Sequence, residues 1–168
     1  MYKHEILHGK IFIYPTDTVY GIGCNALNKE AVEKIREIKK RDMKPFSVIA
    51  PSLAWINEHL VADCDLTKYL PGPYTIILRK KNPEFLNYVS NLETLGVRIP
   101  KNEFTKEIET ANVPFITTSV NFSGQKPANS ISEIPEEIKN QANIIIDSGT
   151  LSGKPSTLIK EGREILRN

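Results

Sequence analysis

Cysteine is scarce in this chain: of 168 residues only Cys24 and Cys64 carry a thiol, forty positions apart and not as a CxxC pair. That excludes a disulfide framework and reads as two reduced, partly buried thiols. The three histidines, His4, His8 and His59, form no zinc-ligand pattern. Long apolar runs are missing too; none approaches the roughly 20 residues that span a membrane. The opening MYKHEILHGK lacks the apolar stretch of a signal peptide, so a cytoplasmic location is expected, with no membrane contact. The glycine fingerprints of common nucleotide folds are absent as well. No GxGxxG follows the first expected strand. GKPST (Gly153–Thr157) places Pro155 where a P-loop needs Ser or Thr, and Ser148 where its first glycine belongs. No GxSxG elbow offers a serine nucleophile.

What is present is a core-forming composition. Forty per cent of the residues are hydrophobic, and no tract is compositionally disordered. The length suits one domain spanning residues 1–168. Net charge is only +2, but its distribution is uneven. Between Lys34 and Lys44, six of eleven residues are basic: Lys34, Arg36, Lys39, Lys40, Arg41 and Lys44. Such a run suits a solvated helix end favoured by the helix dipole, or an anion site.

Lys10–Tyr14 reads as a first strand, stopped by Pro15. A glycine-punctuated turn follows, and Asn28 then caps a helix carrying Val32, Ile35 and Ile38. Further strands are expected over Ser47–Ala50, Thr75–Arg79, Val97–Ile99, Phe115–Ser119, Asn143–Asp147 and Thr157–Ile159. Helices are expected over Leu53–Leu60, around Phe104–Thr110, and over Ser132–Asn140 with Pro135 in its first turn. The alternation predicts an α/β class, and consecutive strands without an intervening helix predict a mixed sheet.

Four loop segments gather hydroxyls, glycines and cations: Thr16–Gly23, Lys39–Lys44, Thr117–Gly124 and Gly153–Thr157. Hydroxyls and free backbone N–H groups suit phosphate oxygens, and Lys and Arg neutralise their charge. No protein nucleophile stands out. Chemistry at an activated phosphate needs none, because it runs largely on positioning and charge neutralisation.

The stretch PTDTVYGIGCNA (Pro15–Ala26), followed in order by KKRDMKP, PGPYTIIL, GVRIP and TTSVNFSG, resembles the YrdC-like family, which includes the threonylcarbamoyl-AMP synthases. The resemblance runs from about Tyr14 to Arg167. It implies a twisted mixed sheet with flanking helices around a positively charged cavity. The implied activity is nucleotidyl transfer: L-threonine, bicarbonate or CO2 and ATP give threonylcarbamoyl-AMP and pyrophosphate. Mg2+ is implied with the ATP, and a partner enzyme would pass the threonylcarbamoyl group to tRNA. Contact with tRNA or double-stranded RNA is a further implied partner call.

Carried over residue by residue, the resemblance implies ATP contacts for Lys39 and Arg41 (a Lys-x-Arg motif), Lys44, Ser119 and Asn121 (a Ser-x-Asn motif) and Arg167. It implies a threonine pocket made by Thr16, Arg98, Thr117 and Ser156, with Arg98 clamping the carboxylate. Tyr20 is expected to pack in the core. YTIIL, PEEIK and GKPST also resemble the YciO branch of the family, whose members need not share the synthase activity; a non-catalytic RNA-binding module is the other alternative. Relative to the family pattern, the helix before the first strand is short, and the loop after Lys44 lacks a histidine.

Overall fold

The computed structural model describes residues 1–151 and 153–167. In chain order these form α1 (Lys3–Leu7), β1 (Phe12–Tyr14), β2 (Gly21–Gly23), α2 (Lys29–Lys39), β3 (Ser47–Ile49), α3 (Leu53–His59), β4 (Leu60–Val61) and β5 (Tyr74–Lys80). They continue with β6 (Thr94–Arg98), α4 (Glu103–Ala111), β7 (Phe115–Ser119), α5 (Glu136–Lys139), β8 (Ile144–Ile145), β9 (Thr157–Lys160) and β10 (Arg163–Ile165). The strands run in the order β10-β9-β5-β6-β3-β7-β2-β1-β8, and β4 pairs with β5. The β1–β8, β3–β6 and β5–β9 ladders are parallel and the others antiparallel, so the sheet is mixed, as expected.

Period-two alternation splits the core into two layers. Phe12 and Tyr14 of β1 and Phe115 of β7 face one side, where Phe104 and Ile108 of α4 and Ile6 of α1 cover them. Ile13, Ile22, Val48 and Ile116 face the other side, against Ala31, Val32, Ile35 and Ile38 of α2. The latter positions recur at one helical face. Asn28 Oδ1 caps α2 by accepting from Ala31 N at 3.0 Å, a contact worth about 1 kcal/mol. Lys40 ends the helix in the left-handed conformation, φ 52°.

Two expectations are corrected. The segment read as a glycine-punctuated turn contains strand β2, at the centre of the β1-β2-β7 ladder. Two of its three residues are glycine, so it has no side-chain alternation to read. The glycines are there because of close approach. A Cβ on Gly23 would lie 1.9 Å from Ile116 O and 2.7 Å from Phe115 Cε1. The helix expected over Ser132–Asn140 is instead a 3-10 turn at Ile131–Glu133 followed by α5. Ile134 precedes a proline and is extended (ψ 129°), so the turn cannot run on into α5. The short helix implied before the first strand is α1, whereas β4 and β10 were not foreseen.

Gly23→Ala should destabilise the chain by about 3 kcal/mol, the upper part of the overpacking range, because the obstructing atom is backbone. Urea unfolding followed by circular dichroism measures the loss; a change below about 0.5 kcal/mol would contradict the packing.

Candidate functional site

A cavity of about 280 Å³ opens where the ends of β3, β5, β6 and β7 meet the loops after β1, α2 and β7. Its lining carries eight serine and threonine hydroxyls (Thr16, Thr18, Ser47, Thr75, Thr117, Thr118, Ser119 and Ser156), Tyr20 and three guanidiniums (Arg41, Arg98 and Arg167). No Asp or Glu lines it among the described residues. Sheet register gathers the hydroxyls: Ser47 pairs with Thr117 across β3 and β7. Gly96 opens the space beneath, since a Cβ there would sit 2.4 Å from Ser47 Oγ.

Arg98, at the end of β6, is only 6% exposed. Its Nη2 donates to Asp17 Oδ1 at 2.6 Å, and both terminal nitrogens reach Thr18 Oγ1 at 3.4 Å. Its Nε is buried without a partner. Thr16 Oγ1 donates to Val19 O at 2.7 Å and lies 2.8 Å from Thr18 Oγ1, which fixes the turn presenting both hydroxyls. Asp17 Oδ2 accepts from Lys101 N at 2.9 Å, so both of its oxygens are engaged.

Arg41 lines the same cavity; it donates from Nη2 to Pro45 O at 2.6 Å and stacks on Phe46, 4.9 Å from the ring centre. Its Nε is also buried and unpartnered. Arg36 holds this loop from outside the cavity. Its Nη1 donates to Asp42 O and Lys44 O, its Nη2 to Tyr88 O and Val89 O, and it lies 4.3 Å over Phe46. Ser119 and Asn121 line the cavity together, Ser119 Oγ donating to Asn121 Oδ1 at 2.8 Å. Arg167 folds back over the rim, with Nε on Ser156 O at 2.7 Å and Nη2 on Ser156 Oγ at 2.6 Å. Ser156 Oγ lies 2.7 Å from Thr75 Oγ1.

The structure therefore brings Thr16, Arg41, Arg98, Thr117, Ser119, Asn121, Ser156 and Arg167 around one cavity. It does not bring Lys39 or Lys44 there. The Lys44 side chain is exposed on the far part of its loop. Lys39 is 1% exposed and points into the loop after β7. The left-handed turn at Lys40 sends neighbouring cations in different directions. Sequence reasoning missed Thr75, Ser47 and Gln125 in the lining; lone polar residues next to strands and loops carry no signal of their own. Tyr20 is buried as expected, and its hydroxyl also donates to Gly149 O at 2.7 Å.

The electrostatics favour an anion. Burial pushes the Arg41, Arg98 and Arg167 guanidiniums below their ordinary value; Arg36 adds to this at Arg41, Arg98 adds to it at Arg167, and Asp17 opposes it at Arg98. Burial, with Arg41 alongside, takes Lys39 down to about 7. An anion arriving in the cavity opposes the shifts of the three arginines that line it. Among the described residues no group of three His, Cys, Asp or Glu could hold a metal, and no helix is long and apolar enough to cross a membrane.

The family model for Sua5, YciO and YrdC proteins, described as telomere recombination, matches residues 4–168. A Methanocaldococcus jannaschii protein is 41% identical over 166 residues, covering 94% of this chain and 77% of its own length. A Pyrococcus abyssi protein named threonylcarbamoyl-AMP synthase is 33% identical, covering 92% of this chain and 48% of that protein. The crystal structure of P. abyssi Sua5 complexed with L-threonine aligns with a TM-score of 0.83 at 31% identity, over 94% of this chain and 49% of that one. The chain thus spans about half the length of these Pyrococcus relatives. Escherichia coli YciO is similar too: 30% identical in sequence over 90% of this chain and 77% of its own. Its crystal structure aligns with a TM-score of 0.79 at 28% identity, over 94% of this chain and 81% of that one.

Asp17→Asn removes the one carboxylate that balances Arg98. It should lower stability by about 3 kcal/mol, because it strands a buried charge. Added sulfate should restore more stability to the variant than to the wild type, as read by thermal unfolding across a sulfate series. Equal sulfate responses would show that Asp17 does not hold the charge in check.

Proposed function

Because the chain belongs to the Sua5/YciO/YrdC family, we propose that it is a threonylcarbamoyl-AMP synthase. One observation carries the reading: a cavity walled by three arginines and eight serine and threonine hydroxyls, with no carboxylate in its lining among the described residues. The reaction brings two anions together. The threonine amine adds to CO2 and loses a proton, giving a carbamate. A carbamate oxygen then attacks the α-phosphorus of ATP, and the bond to pyrophosphate breaks. Bicarbonate supplies the same carbon with loss of water. The protein's part is to hold both anions in line and offset their repulsion.

Arg98 is the group for the threonine carboxylate: it keeps an unpartnered Nε, and Thr16, Thr117 and Ser156 surround the same wall. Arg41, Ser119, Asn121 and Arg167 are the groups for ATP. Water is displaced as the ligands fill the cavity, which strengthens each ion contact. Mg2+ arrives as part of the ATP substrate; Asp17, the nearest carboxylate, has both oxygens engaged. Transfer of the product to tRNA falls to a partner enzyme in the cytoplasm. Direct tRNA or double-stranded RNA contact would read as affinity that falls steeply with salt.

Purified protein with ATP, Mg2+ and bicarbonate should release pyrophosphate only when L-threonine is added. Arg98→Ala should cut kcat/KM for threonine by about 100-fold, the worth of a charge-assisted carboxylate contact. Threonine-independent release, or none from folded protein, would sink the synthase reading.

A further inference from the structure

Lys39 is the last residue of α2 and lies outside the cavity lining, yet it is among the most buried side chains of the chain. An ammonium has three donors. Three oxygens take them: the carbonyl of Ser119, the carbonyl of Asn121 at 2.9 Å, and Asn121 Oδ1 at 2.9 Å. All three belong to the segment that leaves β7. The backbone repeats the contact, Ser123 N donating to Lys39 O at 3.1 Å. Next along, the Lys40 ammonium lies 4.4 Å over the Phe122 ring. The end of α2 therefore grips Ser119–Ser123 at successive points.

The same grip sets the chemistry of the segment. With Oδ1 turned to Lys39, the Asn121 amide must aim Nδ2 away, and it donates to Gln125 O. Oδ1 also accepts from Ser119 Oγ at 2.8 Å. Because the ammonium already satisfies that oxygen, the Ser119 hydroxyl can leave it for a ligand without stranding a buried acceptor. Moving the ammonium to a ligand would leave the buried Asn121 carbonyl without a donor, whereas the Ser119 carbonyl keeps that of Asn121 N at 3.0 Å. Arg41, two residues on, lines the same cavity as Ser119.

We propose that Lys39 is a positioning residue: its ammonium stays on the Ser119–Asn121 loop when substrate binds and locks that loop to α2, so that Arg41 and Ser119 meet a bound triphosphate at fixed separation. This rests on the synthase reading for the identity of the anion; the tether itself does not.

Side-chain 15N NMR of the wild-type protein tests the tether. At a pH well below the value of about 7 to which burial takes Lys39, its ammonium should give a resolved, slowly exchanging signal that survives saturating Mg·ATP without coupling to 31P. Loss of the signal, or coupling to phosphorus, would overturn the proposal. A mutant cycle gives the second reading. Lys39→Met should lower kcat/KM for ATP by about 30-fold through both kcat and KM, but by less than about threefold in an Asn121→Ala background, because the two act as one unit. Equal losses in both backgrounds would make Lys39 a direct ligand. Hydrogen exchange without ligand separates this from failure of the synthase reading. The amides of residues 120–123 should open about tenfold faster in Lys39→Met even if the wild type neither binds ATP nor releases pyrophosphate. Unchanged exchange would refute the tether alone.

Discussion

A guanidinium that is almost fully buried needs a partner, and the pairing of Arg98 with Asp17 is the constraint around which the site is arranged. Asp17 sits in the loop after β1, and Arg98 ends β6 several strands away in the sheet. The ion pair thus pins the hydroxyl-bearing turn of Thr16 and Thr18 against the strand ends. Lys101 N holds the other carboxylate oxygen, so Asp17 cannot swing aside. What stays without a partner is Nε of the guanidinium, on a residue that lines the cavity.

The two-layered core makes this arrangement stiff. Aromatic residues under α1 and α4 pack at centroid distances of 4.7 to 5.8 Å, with Tyr14 against Phe104 and Phe115. Tyr14 is directly followed by Pro15 and Thr16, so the buried ring anchors the start of the binding turn. Across the sheet, α2 is held by its apolar face and presents its C-terminal cations. The positive wall is therefore built from side chains whose own supports are packed.

Much of the fold was legible in the sequence because hydrophobic periodicity and caps report on local structure. Phe115–Ser119 has the strand bounds expected of it, and Asn28 caps α2 as expected. β2 was hidden because glycine marks both turns and close backbone approach, and only the neighbour decides which. Motif resemblance singled out ten residues, and the structure gathers eight of them around one cavity. The basic run was not legible. Of its six cations, Lys34 pairs with Glu37, Lys40 with Glu137, Arg36 binds backbone carbonyls, Lys39 grips a loop, and Lys44 is exposed. Only Arg41 lines the cavity, because a left-handed residue between Lys39 and Arg41 separates their directions. Charge counting cannot see that turn.

Arg167 and Thr16 face the same space from opposite ends of the chain. During synthesis the ribosome delivers the aromatic layer, the signature turn and α2 long before the segment that carries Ser156 and Arg167. A nascent chain can therefore pair most of its strands before the residues that complete the pocket lining are made. A ligand filling the finished cavity would bridge the loop after β1 and the segment after β10. Its stabilising effect is thus felt by the whole chain rather than by one lobe, and resistance to proteolysis becomes a direct gauge of occupancy.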